Sequence, residues 1–409
     1  MTEPSRRADG TAGVRQRLVG RRLALVFAAT FTSLAGVFLL LSVVPMYAVS
    51  GGAGRTGAGL ATTSLMLTTV LAELALPRLL GRFGYLPVFA AGLLLLGLPP
   101  LALIASSDMA TIIAVSLVRG VGFGIAVVVP NALVAELAPP GRRGEALGLF
   151  GVTSGLPSVL ALPLGVWLAE RIGYPPVFIA ASVLPLVALA ALAALPRHLA
   201  PASAQARETA SGAPPAPPAG KPREQSFGIT AGLRSPGLLR PAVAFGATAV
   251  AAGVLITFLP EAVPAGGVAA GALFVQTAAT TTARWWAGRA GDRHGAARLL
   301  APAVALAAAG IALLVLVPAP AAVFAAMLLF GAGFGVTQNA SLAMMYERAP
   351  ASGYGTVSAL WNIGYDGGMG IGGVAFGVAA THAGFPAAFA LTSATIFLTV
   401  PLAVRRRAR

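Results

Sequence analysis

The chain has no cysteine, a single lysine, three histidines and only 13 acidic residues in 409. Without cysteine there are no disulfides and no thiolate metal sites. His198, His294 and His382 stand far apart with no metal-ligand spacing, so no metal is expected. Lys221 is not preceded by the Gly-x-x-x-x-Gly of a phosphate-binding loop, which removes support for ATP-driven chemistry. No nucleophile–base constellation is visible in the apolar stretches, so neither an enzyme nor a cofactor is expected. Charged residues are scarce, at 10%. Soluble domains carry about 25%, so most of this surface must face something other than water.

Apolar residues fill that gap, at 57% of the chain with a mean hydropathy of +0.82. Runs of about 20 such residues can cross the hydrocarbon core as helices. They occur at 23–48, 57–79, 87–106, 110–135, 145–169 and 174–195, then at 241–260, 268–287, 299–317, 321–345, 355–380 and 386–404. The first run is too long for the apolar part of a cleaved signal, roughly 7–15 residues, and is read as a span that stays. The 31 prolines and 50 glycines would break soluble helices but are better tolerated in membrane ones.

A fixed offset of 211 residues relates the two sets of runs. It carries Gly120, Gly122 and Gly124 onto Gly331, Gly333 and Gly335, Glu136 onto Glu347, Gly173 onto Gly384 and Phe178 onto Phe389. It also carries the turn at Arg82 and Gly84 onto Arg293 and Gly295. The fold class is therefore an all-α integral membrane protein of twelve transmembrane helices in two six-helix halves. Residues 1–22 form a basic head, 23–195 the first half, 196–240 a linker, 241–404 the second half and 405–409 a basic tail. Pro214–Pro218 favours extended polyproline conformation within the linker.

The net charge of +15 reports topology. On this map all of the 28 Lys and Arg fall on one face except Arg55 and Arg171 opposite and Arg119 and Arg284 within spans. Short loops rich in Lys and Arg stay cytoplasmic, so both termini and the linker are expected in the cytoplasm of a cell membrane. Nucleic acid is not an expected partner.

Twelve spans in parallel halves, with Gly288, Asp292, Arg293 and Gly295 forming Gly-x-x-x-Asp-Arg-x-Gly between the second and third span of a half, resemble the major facilitator superfamily. Arg119 with Gly120, Gly122 and Gly124 looks like that family's fourth-helix motif, and bacterial efflux members are the nearest in kind. Gly81 replaces the motif's Asp in the first half, and the fifth span lacks an intact Gly-Pro-x-x-Gly-Gly. The resemblance implies alternating access by a monomer in the lipid bilayer, moving a small molecule with protons. Proton-coupled export is the leading expectation; a proton-coupled importer of a sugar or metabolite, and a non-transporting sensor, are alternatives.

Ionisable residues within spans are functional candidates by default. Asp366 lies about 11 residues into the eleventh span, roughly 16 Å deep, and Arg119 roughly 14 Å from the other side. These two are the expected proton-coupling pair. Glu73 and Arg284 are repeat equivalents read as ion-pair residues, Glu73 toward the start of the eleventh span and Arg284 toward Glu145. Asp292 is expected to anchor its loop on the fifth span near Arg142 and Arg143, with Arg82 as the first-half counterpart of Arg293. Helices lining the cavity in the resembled fold carry Thr30, Thr32, Ser33, Thr248, Thr257, Gln338 and Asn339, and Asn362 stands one turn before Asp366. Trp285 and Trp286 are read as interfacial anchors. Glycines 364, 367, 368, 370, 372, 373 and 377 mark the eleventh span as a sliding or bending surface.

The topology has a direct check, because every introduced cysteine is unique. A cysteine at Ala213 should resist an impermeant thiol reagent in intact cells and react after permeabilisation. Labelling in intact cells would invert the orientation.

Overall fold

The computed structural model describes residues 20–138, 142–193, 229–263, 267–350 and 353–404. The head before residue 20, most of the linker and the five-residue tail lie outside them. The described residues form long helices with no strand among them. Ten helices are long and apolar enough to cross a membrane on composition alone. Two more spans complete the expected twelve. The eighth, Val268–His294, falls short because it carries Gln276, Thr277, Thr280, Thr281, Thr282 and Arg284. The eleventh and twelfth run together as Tyr354–Phe397, broken at Gly384 with φ 77°.

The other spans are Arg21–Ser50, Gly54–Phe83, Tyr85–Ala105, Met109–Leu137, Arg143–Ile172, Tyr174–Ala193, Pro236–Ala262, Ala296–Leu313 and Pro320–Arg348. Ser42 interrupts the first, where Pro45 cannot donate a backbone bond to the turn before it. The seventh span begins earlier than its apolar run suggests. Helix is already present at Ile229–Arg234, and Pro236 sits at the start of the next, a position where its missing N–H costs nothing. Below, the near face is the one where the first span begins, and the far face is opposite.

The duplication is visible in backbone geometry. Gly84 and Gly295 end the second and eighth spans at φ 79° and 84°. Gly173 and Gly384 end the fifth and eleventh at φ 83° and 77°. Each pair is 211 apart, and each holds a left-handed turn open to glycine and costly for other residues.

Contacts repeat as well. In the first half, a Cβ on Gly124 would press on the Thr69 carbonyl at 2.9 Å, and one on Gly122 on the Gly92 carbonyl at 2.8 Å. In the second half Gly335 meets the Thr280 carbonyl and Gly333 the Ala303 carbonyl, again 211 residues on. One glycine-lined helix in each half, the fourth or the tenth, thus clasps the two helices before it. Lipid supplies no hydrophobic drive between helices, so this close approach replaces it.

The halves meet chiefly where the second span lies on the eleventh, with the fifth against the eighth as a second seam. The glycines of the eleventh span serve two faces. Gly368 and Gly372 press on Gly246 and Val250 of the seventh span, inside the second half. Gly370, Gly373 and Gly377 press on Met66, Gly59 and Arg55 of the second span, across the halves.

Gly333→Val would place its Cβ 2.6 Å from the Ala303 carbonyl oxygen. It should destabilise the protein by about 1–3 kcal/mol, as overpacking does. Gly148 faces open space, and Gly148→Ala should leave the thermal midpoint in detergent unchanged or slightly raised. Equal midpoints for the two variants would mean that the clasp is not tight.

Candidate functional site

The seam between the halves is closed at the far face. Arg55 Nε donates to Glu261 Oε1 at 2.9 Å, joining the start of the second span to the end of the seventh. Arg55 Nη1 donates to the Ala380 carbonyl at 2.9 Å, and its guanidinium lies 4.3 Å from the Phe385 ring centre. Deeper, the Thr62 and Thr257 hydroxyls bond at 2.8 Å and Thr63 donates to the Gly370 carbonyl at 2.6 Å. On the second seam the Gly267 N–H donates to Glu170 at 3.2 Å. Only the lone Arg55 in a far-face loop hinted at this gate, and hydropathy cannot show which groups meet across two halves.

The near face is different. Gly148, Gly151 and Gly155 of the fifth span face open space, and Leu149, Val152 and Leu156 beside them are exposed. The facing part of the eighth span exposes Thr281, Arg284, Trp285 and Trp286. The fifth and eighth spans are thus both widely exposed toward the near face, and the space beside them there is termed the vestibule. An apolar groove of about 390 Å³ between the ninth and twelfth spans is lined by alanines, Val315, Ser393 and Phe397. It carries no ionisable group and is not the site.

At the inner end of the vestibule the structure assembles groups from four spans. Asp366 is 5% exposed, and its electrostatic neighbour is Glu73 of the opposite half. Arg119 does not join them. It lies farther toward the far face, 1% exposed, with no hydrogen-bond partner for its Nε, beside a cavity of about 10 Å³ lined by Thr62, Ser116 and Pro45. That space suits about one water. The expected Asp366–Arg119 ion pair is absent among the described residues, and the charged group that acts on Asp366 is Glu73. Register accounts for the missing pair: Gly120 meets Leu65, so Arg119 lies level with a part of the second span about two turns from Glu73.

Arg284 also departs from expectation. It points into the vestibule, exposed by area yet closely surrounded, and donates from Nη1 to Gln338 Oε1 at 3.4 Å, with Tyr365 as its electrostatic neighbour. Glu145, its expected partner, takes Arg142 at 2.7 Å one turn away. Asp292 and Arg293 are exposed, and Asp292 makes no hydrogen bond or ion pair among the described residues. Arg82 stacks on Phe83, with 5.2 Å between its guanidinium and the ring centre. Gly288 gives room to Asn339, whose Nδ2 lies 3.6 Å from where a Cβ would be.

The hydroxyl candidates mostly satisfy themselves. Thr30 donates to the Val26 carbonyl at 2.7 Å, Thr32 to Ala28 at 2.8 Å, Ser33 to Thr30 at 3.1 Å and Thr248 to Phe245 at 2.7 Å. Such back-bonding leaves little to offer a ligand. Asn362 and Asn339 are half-buried, and Gln338 is largely buried against Arg284. Sequence reasoning missed an aromatic group beside them: Phe245, Phe334, Trp361 and Tyr365. The i, i+4 spacing of Trp361 and Tyr365 around Asn362 was the available signal.

The sequence profile described as Major Facilitator Superfamily matches residues 26–372 and, in a second alignment, 265–409. The chain belongs to the Major Facilitator Superfamily. Among solved structures, this member of the superfamily is similar to a single-residue mutant of the nucleoside transporter NupG. The two share 12% identity over 92% of this chain and 98% of that one, with a TM-score of 0.72. At that identity the likeness establishes the fold. Family and fold point to a multi-pass membrane protein that transports a small molecule.

The far gate gives a test. The Arg55–Glu261 pair is partly exposed, so removing it should shift the conformational balance by about 0.5–1 kcal/mol, two- to fivefold. Arg55→Gln should raise the far-face labelling rate of a cysteine at Ala61, which is 2% exposed behind the gate. An unchanged rate would show that the pair does not hold the gate.

Proposed function

We propose that this protein is a proton-coupled secondary transporter that exports a small organic molecule by alternating access, with the near face cytoplasmic. The basic residues around the near-face loops support that orientation. The observation that supports the coupling is Asp366, buried at the seam, with Glu73 of the other half as its electrostatic neighbour. Two like charges within reach in an apolar seam repel strongly, and one shared proton relieves the repulsion. Each carboxyl belongs to a different moving body. Rocking the halves therefore alters their separation and with it the hold on the proton, which links proton movement to the exchange of open faces. A near-face vestibule gives a cytoplasmic compound access to the site. The nucleoside transporter likeness favours a second reading, in which a nucleoside-like metabolite is carried.

The link between proton and conformation can be read without a known substrate. A cysteine at Gly151, in the open wall of the fifth span, should be labelled faster as pH falls, because protonation favours the juxtaposed acids of the near-open form. Rates are normalised to the same cysteine in unfolded protein. In Asp366→Asn the pH dependence should be lost while labelling persists. An identical pH profile in that variant would refute the coupling role. For direction, cells lacking the gene should retain the exported compound, seen by comparing metabolites inside and outside; depletion inside would establish import.

A further inference from the structure

The wall of the vestibule formed by the second half has a chemistry that its neighbours lack. Phe245, Phe334, Trp361 and Tyr365 stack nearly parallel instead of edge to face. Phe245 and Trp361 are 4.5 Å apart at 12°, Phe245 and Tyr365 5.8 Å at 9°, and Trp361 and Tyr365 5.9 Å at 21°. Phe334 lies 6.1 Å from both Phe245 and Tyr365. Phe245 and Phe334 are buried behind, whereas Trp361 and Tyr365 are half-buried. The indole is fixed in place, since Trp361 Nε1 donates to Ser341 Oγ at 3.1 Å. The result is a rigid aromatic surface whose Trp361 and Tyr365 rings remain partly exposed.

A strong donor stands at its edge. Arg284, the electrostatic neighbour of Tyr365, has five N–H donors and engages one of them, at 3.4 Å on Gln338. No carboxylate pairs with it among the described residues. A cation left so under-used beside preformed π faces suits a planar ring whose own edge presents an acceptor. Gln338, turned toward Arg284, can add a donor through its amide.

We propose that this corner binds planar aromatic or heteroaromatic compounds bearing an oxygen acceptor on one edge, the ring against Trp361 and Tyr365 and the oxygen on Arg284. The proposal names a substrate class for the transporter reading above and rests on it. Its test is binding alone, so it can fail while pH-linked alternating access stands.

The probes are 4-quinolone, planar with a carbonyl edge, and 1-decalone, a puckered ring carrying the same group. Titrated into purified protein in detergent, 4-quinolone should bind at least about tenfold more tightly than 1-decalone, and Arg284→Gln should lose about tenfold or more, the scale of a hydrogen bond to a charged group. Trp167→Ala, toward the far face where the Arg171 guanidinium lies 5.6 Å from its ring centre, should bind like the parent. A second readout does not depend on the folding of site variants. Of the four tryptophans, a protein keeping Trp361 alone should be quenched saturably by 4-quinolone, and one keeping Trp167 alone should not. Equal affinity for the two probes, unaltered binding in Arg284→Gln, quenching at Trp167 instead of Trp361, or no saturable binding at millimolar probe would each overturn the proposal.

Discussion

The join between the two halves depends on how closely the second and eleventh spans approach. Gly59 and Gly373 lie against one another's carbonyls, and Gly370 and Gly377 extend the contact in both directions. A seam lined by glycine along the eleventh span has little interdigitation to undo when one half turns on the other. Hydrogen bonds from Thr63 and the Thr62–Thr257 pair then hold it in register at the far face. Seven glycines in one helix would cost about 1 kcal/mol each against alanine in an isolated segment. Packing on two sides, against the seventh span and the second, offsets that cost.

The same register determines which charges meet. Glu73 acts on Asp366 because the seam sets the height of their helices. Arg119 stays behind, held in the first half between the first, second and fourth spans. Its orphaned Nε is unusual, since buried polar groups nearly always find a partner. The single-water cavity beside it is the natural means of satisfaction. The first half thus contributes a gate arginine, a buried cation and one carboxyl, whereas the second contributes aromatic rings, amides and an accessible guanidinium. The two halves share a backbone plan and diverge in the chemistry they bring to the vestibule.

The architecture is legible in the sequence because it is written in local quantities. Hydropathy marks spans, and the 211-residue offset survives at Gly84 and Gly295 and at Gly173 and Gly384, where backbone conformation permits little else. Even there one boundary misleads: charge and proline before residue 240 read as linker, although Pro236 opens a helix. The site is legible only as an inventory. Depth and charge single out Asp366 and Arg119 near the middle of their spans, and Glu73 and Arg284 in the near-face third of theirs. Which of them meet depends on helix rotation and on which face is open, neither of which periodicity reports. Hence depth matches Asp366 with Arg119, whereas its electrostatic neighbour is Glu73, and the packing of the resembled fold matches Arg284 with Glu145, whereas it donates to Gln338.

The eighth span raises a problem of biosynthesis. Five amide or hydroxyl residues and Arg284 make it too polar to pass for a spanning helix on composition. An arginine near the centre of a helix costs about 2.5–3.5 kcal/mol on insertion scales. Emerging alone from the ribosome, this helix would have weak reason to leave water for lipid. Its stable place is against the tenth span, where Gly331 and Gly335 lie on the carbonyls of Gln276 and Thr280, and the tenth is made later. The second half must then be integrated as a group, with the eighth helix waiting at the edge of the bilayer until its clasp arrives.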